Sequence, residues 1–367
     1  MKIVLNYDSA NDFCEGMASV CRDGKWGFID TSGREIVPCK YDIVDDFHEG
    51  MALVNYGGRW KRSEVHNEPY IFGGKTGFID KTGSEVIPCQ YECAESFHDG
   101  LAQIEDRGDG KSVFFFIDKS GRRAGLSGDQ CYHPFSEGLA KTYSDGKCGF
   151  MDKTGSVVIP CIYDDAGDFH EGLARVKLNN KWGFIDNVGR EVVSCQYSHA
   201  LDFHEGMAQV CTGGKWFYVQ DDDEYELFDC KIGYIDISGR EVIPCQYDSA
   251  DNFHDGLACV NIGEKEYGFI DKTGRVVIWD VHPYTVFSEG LAQVSYGNKS
   301  GYIDKTGQVA ISAKFDRAYD FHDGLAMVKE NRTWGFIDKT GQMVIEYKTE
   351  PAPEPPKFPV SDEELPF

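Results

Sequence analysis

Residues 169–193 read FHEGLARVKLNNKWGFIDNVGREVV, and close copies of this stretch recur along the whole chain. After the Glu171-Gly172 turn, Leu173–Val176 reads as a short strand. Trp182–Asp186 reads as a second, with Trp182, Phe184 and Asp186 on one face and Gly183 and Ile185 on the other. Val192-Val193, like Val157-Val158-Ile159, opens a third strand, apolar at consecutive positions as expected where both faces are covered. Asp-Lys-Thr-Gly joins the second strand to the third at 80–83, 152–155, 271–274, 304–307 and 338–341. Its aspartate suits backbone N–H groups and its glycine supplies positive φ. No segment sustains a 3.6-residue period, and 41 glycines interrupt every candidate helix. One unit is therefore a three-stranded antiparallel β-meander, and the chain is all-β.

The unit occurs nine times. Phe-x-Glu/Asp-Gly places glycines at 16, 50, 100, 138, 172, 206, 256, 290 and 324, in steps of 34, 50, 38, 34, 34, 50, 34 and 34 residues. All nine units keep the aspartate that ends the second strand, from Asp30 to Asp338. Glycines 50, 100, 138 and 172 recur at 206, 256, 290 and 324, so a block of four units has been duplicated after the first. Residues 1–345 thus form nine β repeats with inserts near 59–74 and 215–230. Residues 346–367, Pro-rich and acidic, read as a disordered tail.

KWGFID followed by GREVV resembles the bacterial WG-repeat (KWG) family over residues 7–345. The name-giving dipeptide stands at Trp26-Gly27, Trp182-Gly183 and Trp334-Gly335. Thr76, Cys148, Ile232, Tyr267 or Ser300 takes the tryptophan position elsewhere, and Phe114-Phe115 replaces the pair in one unit. The resemblance implies a β-repeat interaction module without general catalytic activity.

Composition narrows the function. With 61 acidic against 37 basic residues the net charge is −24, which repels a phosphate backbone and excludes a basic nucleic-acid footprint. No apolar run approaches the length of a membrane-spanning helix. Thirteen cysteines, an odd number without a C-x-x-C pair, argue for a reducing compartment. The expectation is a soluble cytoplasmic protein with no cofactor, no metal and no nucleic-acid or membrane partner.

Each candidate for chemistry has a structural reading. His48, His98, His170, His204, His254 and His322 precede the Glu/Asp-Gly turn, but Cys14, Ser136 and Ser288 replace them in three units, which favours a turn role over a metal ladder. Cys39, Cys89, Cys161, Cys195 and Cys245 each stand two residues before a tyrosine, and Ala313-x-Phe315 replaces the pair in the last unit that carries it, so these thiols read as small core hydrophobes. Asp30, Asp186 and Asp338 read as turn caps. No hydrolase elbow, phosphate loop or zinc motif is present, and no acidic pair marks a hydrolase.

Binding is expected at the inserts, because long departures from a repeat map to one face. Arg59, Trp60, Lys61 and Arg62 are basic and aromatic. Trp216, Tyr218, Asp221, Asp222, Asp223, Glu224 and Tyr225 are aromatic and acidic. The leading function is a non-catalytic scaffold for protein–protein interaction, with a partner of basic surface. The alternative is a carbohydrate or small-ligand binder, which requires Trp26, Trp182 and Trp334 to be exposed. A carboxylate hydrolase ranks third. For architecture, three strands in 34 residues favour an open, superhelical β-solenoid over a closed β-propeller, whose blades have four strands and need about 40 residues.

Overall fold

The repeat at 169–193 belongs to a sheet of four strands, not three: Asp165–Ala166, Leu173–Leu178, Lys181–Asp186 and Glu191–Tyr197, hydrogen-bonded in that order. The added first strand is the segment ahead of Phe169, to which the sequence pattern assigns no strand. It is only two residues long, helped by a bridge from His170 to Leu173, so a four-stranded blade fits within 34 residues.

The computed structural model describes residues 3–62, 69–106, 113–127, 134–219, 224–263, 266–280, 282 and 285–347. It has nine blades, 1 to 9, with named strands spanning 9–41, 43–91, 93–127, 139–163, 165–197, 199–247, 257–279, 287–315 and 317–347. Among the described residues blades 4 and 7 have three strands, with isolated bridges such as Ser136 to Leu139 and His254 to Leu257 in place of the first, and the other seven have at least four. The last outer strand, Met343–Tyr347, extends two residues past the boundary read from sequence and pairs in parallel with Ile3–Leu5, Ile3 opposite Ile345 and Leu5 opposite Tyr347. The two ends of the described chain thus complete one blade together.

The architecture is therefore a closed nine-bladed β-propeller, and the open solenoid is incorrect. Its cause is visible in the core, which lies between blades. The phenylalanine or tyrosine of each third strand meets, edge to face, the Phe that opens the next blade's Phe-x-Glu/Asp-Gly turn. Phe28 meets Phe47 and Phe184 meets Phe203 in this way, both at 4.9 Å. The ninth contact, Phe336 with Phe13 at 4.9 Å, joins blade 9 to blade 1. Around it Tyr7, Ala10, Val20, Ile345 and Tyr347 form one buried cluster across the seam. Each unit buries one neighbour's aromatic and offers its own to the other neighbour, so a ring leaves no orphaned face.

The Trp-Gly glycine has a backbone reason. Trp182 pairs with Tyr197 and Phe184 with Val193, so five residues of the outer strand lie opposite three of the third. The bulge presses Cys195 onto Gly183, where a Cβ would lie 2.7 Å from the Cys195 nitrogen. The Cys195 thiol reaches the Val176 carbonyl at 3.6 Å, and Cys39, Cys89, Cys161 and Cys245 repeat the contact. Burial pushes the Cys39 and Cys89 thiols up to about 11, away from the reactive thiolate. The outer strand is not covered on both faces as its sequence suggested, since Val157 is 57% exposed.

Candidate functional site: an acidic inner rim

The first strands line the inner side of the ring, and those of blades 8 and 9, 9 and 1, and 1 and 2 touch one another. They end in the Phe-x-Glu/Asp-Gly turn. Glu171 (φ 55°) and Gly172 (φ 83°) both adopt positive φ, the geometry of a type I′ hairpin. This turn connects blades. The Glu171 carboxylate accepts the Gly206 amide of blade 6 at 2.7 Å, Glu15 accepts Gly50 at 2.8 Å, and Asp323 of blade 9 accepts Gly16 of blade 1 at 2.7 Å. The same bond links every pair of neighbours, a closed circuit of nine. Lysines of the following blade's Asp-Lys turn reach back to six of these carboxylates, as Lys81 does to Glu15 at 3.0 Å. Although partial burial opposes it, these bonds hold Glu15, Glu49 and Glu205 below the usual carboxylate range.

The histidine position does related work. His204 Nδ1 lies 2.5 Å from the Phe253 carbonyl of the next blade, while Ser136 and Ser288 donate to Phe169 and Phe321 at 2.6 Å and Cys14 to Phe47 at 3.3 Å. Three side chains that share little beyond a polar donor interchange here because the next blade's carbonyl is what must be met. His48 and His98 approach at 5.9 Å between centroids and His204 and His254 at 4.5 Å. Among the described residues, no group of three or more metal-ligating side chains is arranged to hold an ion. The aspartates Asp30, Asp186 and Asp338 cap their turns, Asp30 Oδ1 accepting the amides of Ser32 and Arg34 at 3.0 Å.

One residue before the inner Phe stand Asp12, Asp46, Asp168, Asp202 and Asp320. They divide into two sectors. In blades 5 and 6 the acid is neutralised by the second strand of the preceding blade: Lys141 lies 3.3 Å from Asp168, and Arg175 Nε 3.0 Å from Asp202. In blades 9, 1 and 2, among the described residues, only histidine supplies positive charge to Asp320, Asp12 and Asp46. Burial pushes all three upward, and Asp12 also feels Asp320 and Asp46 as like charges. The residues at the second-strand position of Lys141 and Arg175 in the blades preceding this row, Gln293, Met327 and Ser19, carry no charge. The sector continues into a groove of about 470 Å³ between blades 2 and 3, lined by Asp45, His48, Leu53, Glu95, Ser96 and His98. Burial raises Glu95 as well, and Ser96 donates to Asp45 at 2.7 Å.

A carboxylate raised by burial binds its proton more tightly folded than unfolded. Such a group lowers stability above its folded pKa, and the penalty is relieved as pH falls through that value. Asp12, Asp46 and Asp320 therefore oppose folding at neutral pH, whereas Glu15, Glu49 and Glu205 support it there and lose that support in acid.

The residues singled out from sequence lie elsewhere. Arg59–Arg62 pairs antiparallel with Pro69–Phe72, placing Arg59, Trp60, Lys61 and Arg62 on the first strand of a hairpin attached to blade 2. In blade 6, Met207–Val219 and Glu224–Asp236 form a continuous ribbon carrying Trp216, Tyr218, Glu224 and Tyr225. Each of its strands has 13 residues where the second and third strands of blade 5 have 6, so it extends about 20 Å further at roughly 3.3 Å per residue. Asp221, Asp222 and Asp223 lie outside the described residues, as do residues 348–367. Trp182 is buried with Arg175 over its ring, and Trp26 and Trp334 are half-buried, contrary to the exposure that a sugar site at these positions requires. The rim acids were missed from sequence. Their signal was the Asp preceding Phe in five of the nine units.

A closed ring of nine β-sheet blades, locked by carboxylate turns and carrying a row of acids that has no lysine or arginine partner among the described residues, defines a β-propeller repeat protein. The WG containing repeat family model matches residues 2–26, 26–60, 77–108, 149–182, 182–216, 232–265, 301–333 and 334–348, and the chain belongs to that family. No curated protein matches the chain. Among solved structures it is similar to BamB from Moraxella catarrhalis, at 9% identity over 89% of this chain and 96% of that one, with a TM-score of 0.34. A protein of unknown function from Bacteroides caccae matches at 10% identity over 65% and 80%, with a TM-score of 0.24. Likenesses this distant carry no functional conclusion.

Proposed function

We propose that the protein is a non-catalytic interaction scaffold whose acidic arc takes up a basic segment of a partner protein. The observation that carries this reading is the row Asp320, Asp12 and Asp46, kept without a lysine or arginine partner among the described residues although the acids at the same position in blades 5 and 6 have one. Retaining three neighbouring buried acids without the cation that Asp168 and Asp202 receive at the same position suits a site whose counter-charge arrives from outside. The hairpins of blades 2 and 6 serve as lateral contacts in this reading. The free thiols packed on backbone carbonyls support a cytoplasmic location.

The test is titration of a fluorescein-labelled Lys/Arg nonapeptide followed by anisotropy. Wild-type binding should weaken as salt rises, and Asp12→Asn/Asp46→Asn/Asp320→Asn should weaken it at least about tenfold at low salt. The triple variant should also melt at a higher temperature than wild type at pH 7, with the difference shrinking as pH falls through the raised pKa values of the aspartates. Peptide affinity unchanged in the triple variant contradicts the site.

A further inference from the structure

Blade 7 breaks the repeat on its outer strand. After the buried aliphatic residue of that strand, other units have Pro38, Pro88, Ser127, Pro160, Ser194, Pro244, Ser312 or Glu346, whereas blade 7 has Trp279. The strand Val276–Trp279 stops there, and Asp280 follows at a φ of 55°. Ser127, which ends the corresponding strand of the duplicated block, sits opposite Phe115 in the third strand, as Trp279 sits opposite Gly268. The tryptophan was therefore placed on one copy of the block and not on the other.

Trp279 is 64% exposed, while Trp26, Trp182 and Trp334 are buried or half-buried. A solvated indole does nothing for the inter-blade core, and its flat face is available to a ligand. It forms one wall of an open groove of about 370 Å³ whose lining also includes Gln246, Tyr247, Asp248 and Asn261. Asp248 pairs with Lys231, the same link that Asp42 makes with Lys25, but the Asp248 side chain is 69% exposed against 23% for Asp42. A carboxylate and two amides thus stand beside an aromatic plate.

This combination matches a pyranose. The axial C–H bonds of a sugar with equatorial substituents form a flat apolar face for an indole, and its rim of hydroxyls needs donors and acceptors in the plane. The carboxylate accepts hydroxyl protons, and the amides both donate and accept. A nucleic acid, the other flat polar ligand, is opposed by the net charge of −24. We propose that the Trp279 groove is an oligosaccharide-binding subsite for equatorially substituted, glucose- or N-acetylglucosamine-type chains. It lies on the outer strand of blade 7, whereas the acidic row is on the inner side of blades 9, 1 and 2, and it is independent of the peptide reading.

Calorimetric titration of the full chain with cellopentaose and with chitopentaose tests it, with tryptophan emission followed in parallel. At least one sugar should give saturable heat and a blue shift of the emission. Trp279→Ala should weaken binding at least about tenfold and Trp279→Phe less, since a smaller ring keeps part of the stacking. Asp12→Asn/Asp46→Asn/Asp320→Asn should leave the sugar response intact. Absence of saturable binding of either sugar to the folded wild type, or unchanged affinity in Trp279→Ala, overturns the assignment.

Discussion

Phe336→Ala should lower the free energy of unfolding by about 3–5 kcal/mol, the cost of removing a fully buried aromatic from a packed site. Phe336 is 1% exposed and stacks edge to face on Phe13 within the seam cluster. The informative comparison is Phe184→Ala, which removes the equivalent ring between blades 5 and 6, where Phe184 meets Phe203 at the same 4.9 Å. In a closed ring both positions have a neighbour on each side and the two variants should cost alike in urea unfolding. In an open array Phe336 belongs to a terminal unit without Phe13 opposite it, and its replacement would cost much less than that of Phe184.

Gly183→Val should be at least as damaging, costing about 3 kcal/mol or more and leaving a chain that unfolds well below the parent. The added Cβ meets the Cys195 nitrogen and the Val193 oxygen, both backbone atoms of the bulged outer strand, which cannot rotate away as a side chain could. Gly172→Ala provides the contrast. Gly172 has φ +83° but nothing within 4 Å of its Cβ position, so only the backbone conformation is penalised, by about 1–2 kcal/mol. Thermal melts of the two variants should rank in that order, and a Gly183→Val chain as stable as Gly172→Ala would refute the bulge as the reason for Trp-Gly.

Much of this was legible in the sequence, for physical reasons. Leu173–Leu178, Lys181–Asp186 and Glu191–Tyr197 announce themselves because their apolar residues and turn glycines report locally on strand and turn geometry. The inner strand did not, since Asp165–Ala166 is too short to show alternation, and without it the blade count of strands came out at three. Closure was hidden for a different reason: Phe13 and Phe336 are 323 residues apart, and nothing local to either tells whether the first unit meets the last. Phe-His-Glu-Gly looked like a site by residue type, yet its carboxylate and donor are consumed by the neighbouring blade. The rim aspartates were passed over because their importance lies in what fails to face them. Lys141 and Arg175 neutralise two of the five, while Gln293, Met327 and Ser19 stand at the same second-strand position in the blades preceding the uncompensated row.

The closed ring is the claim on which the seam, the circuit of carboxylate turns and the shared acidic arc all depend. It is tested most directly by single-molecule energy transfer between dyes attached, through non-natural amino acids, at positions 23 and 331, in the turns after the second strands of blades 1 and 9. The ring makes these blades nearest neighbours, with Asp323 holding the Gly16 amide at 2.7 Å, and predicts near-complete transfer in the folded chain. An open array would separate the terminal units by eight steps of about 10 Å each, about 80 Å, and a low transfer efficiency under native conditions would contradict the account.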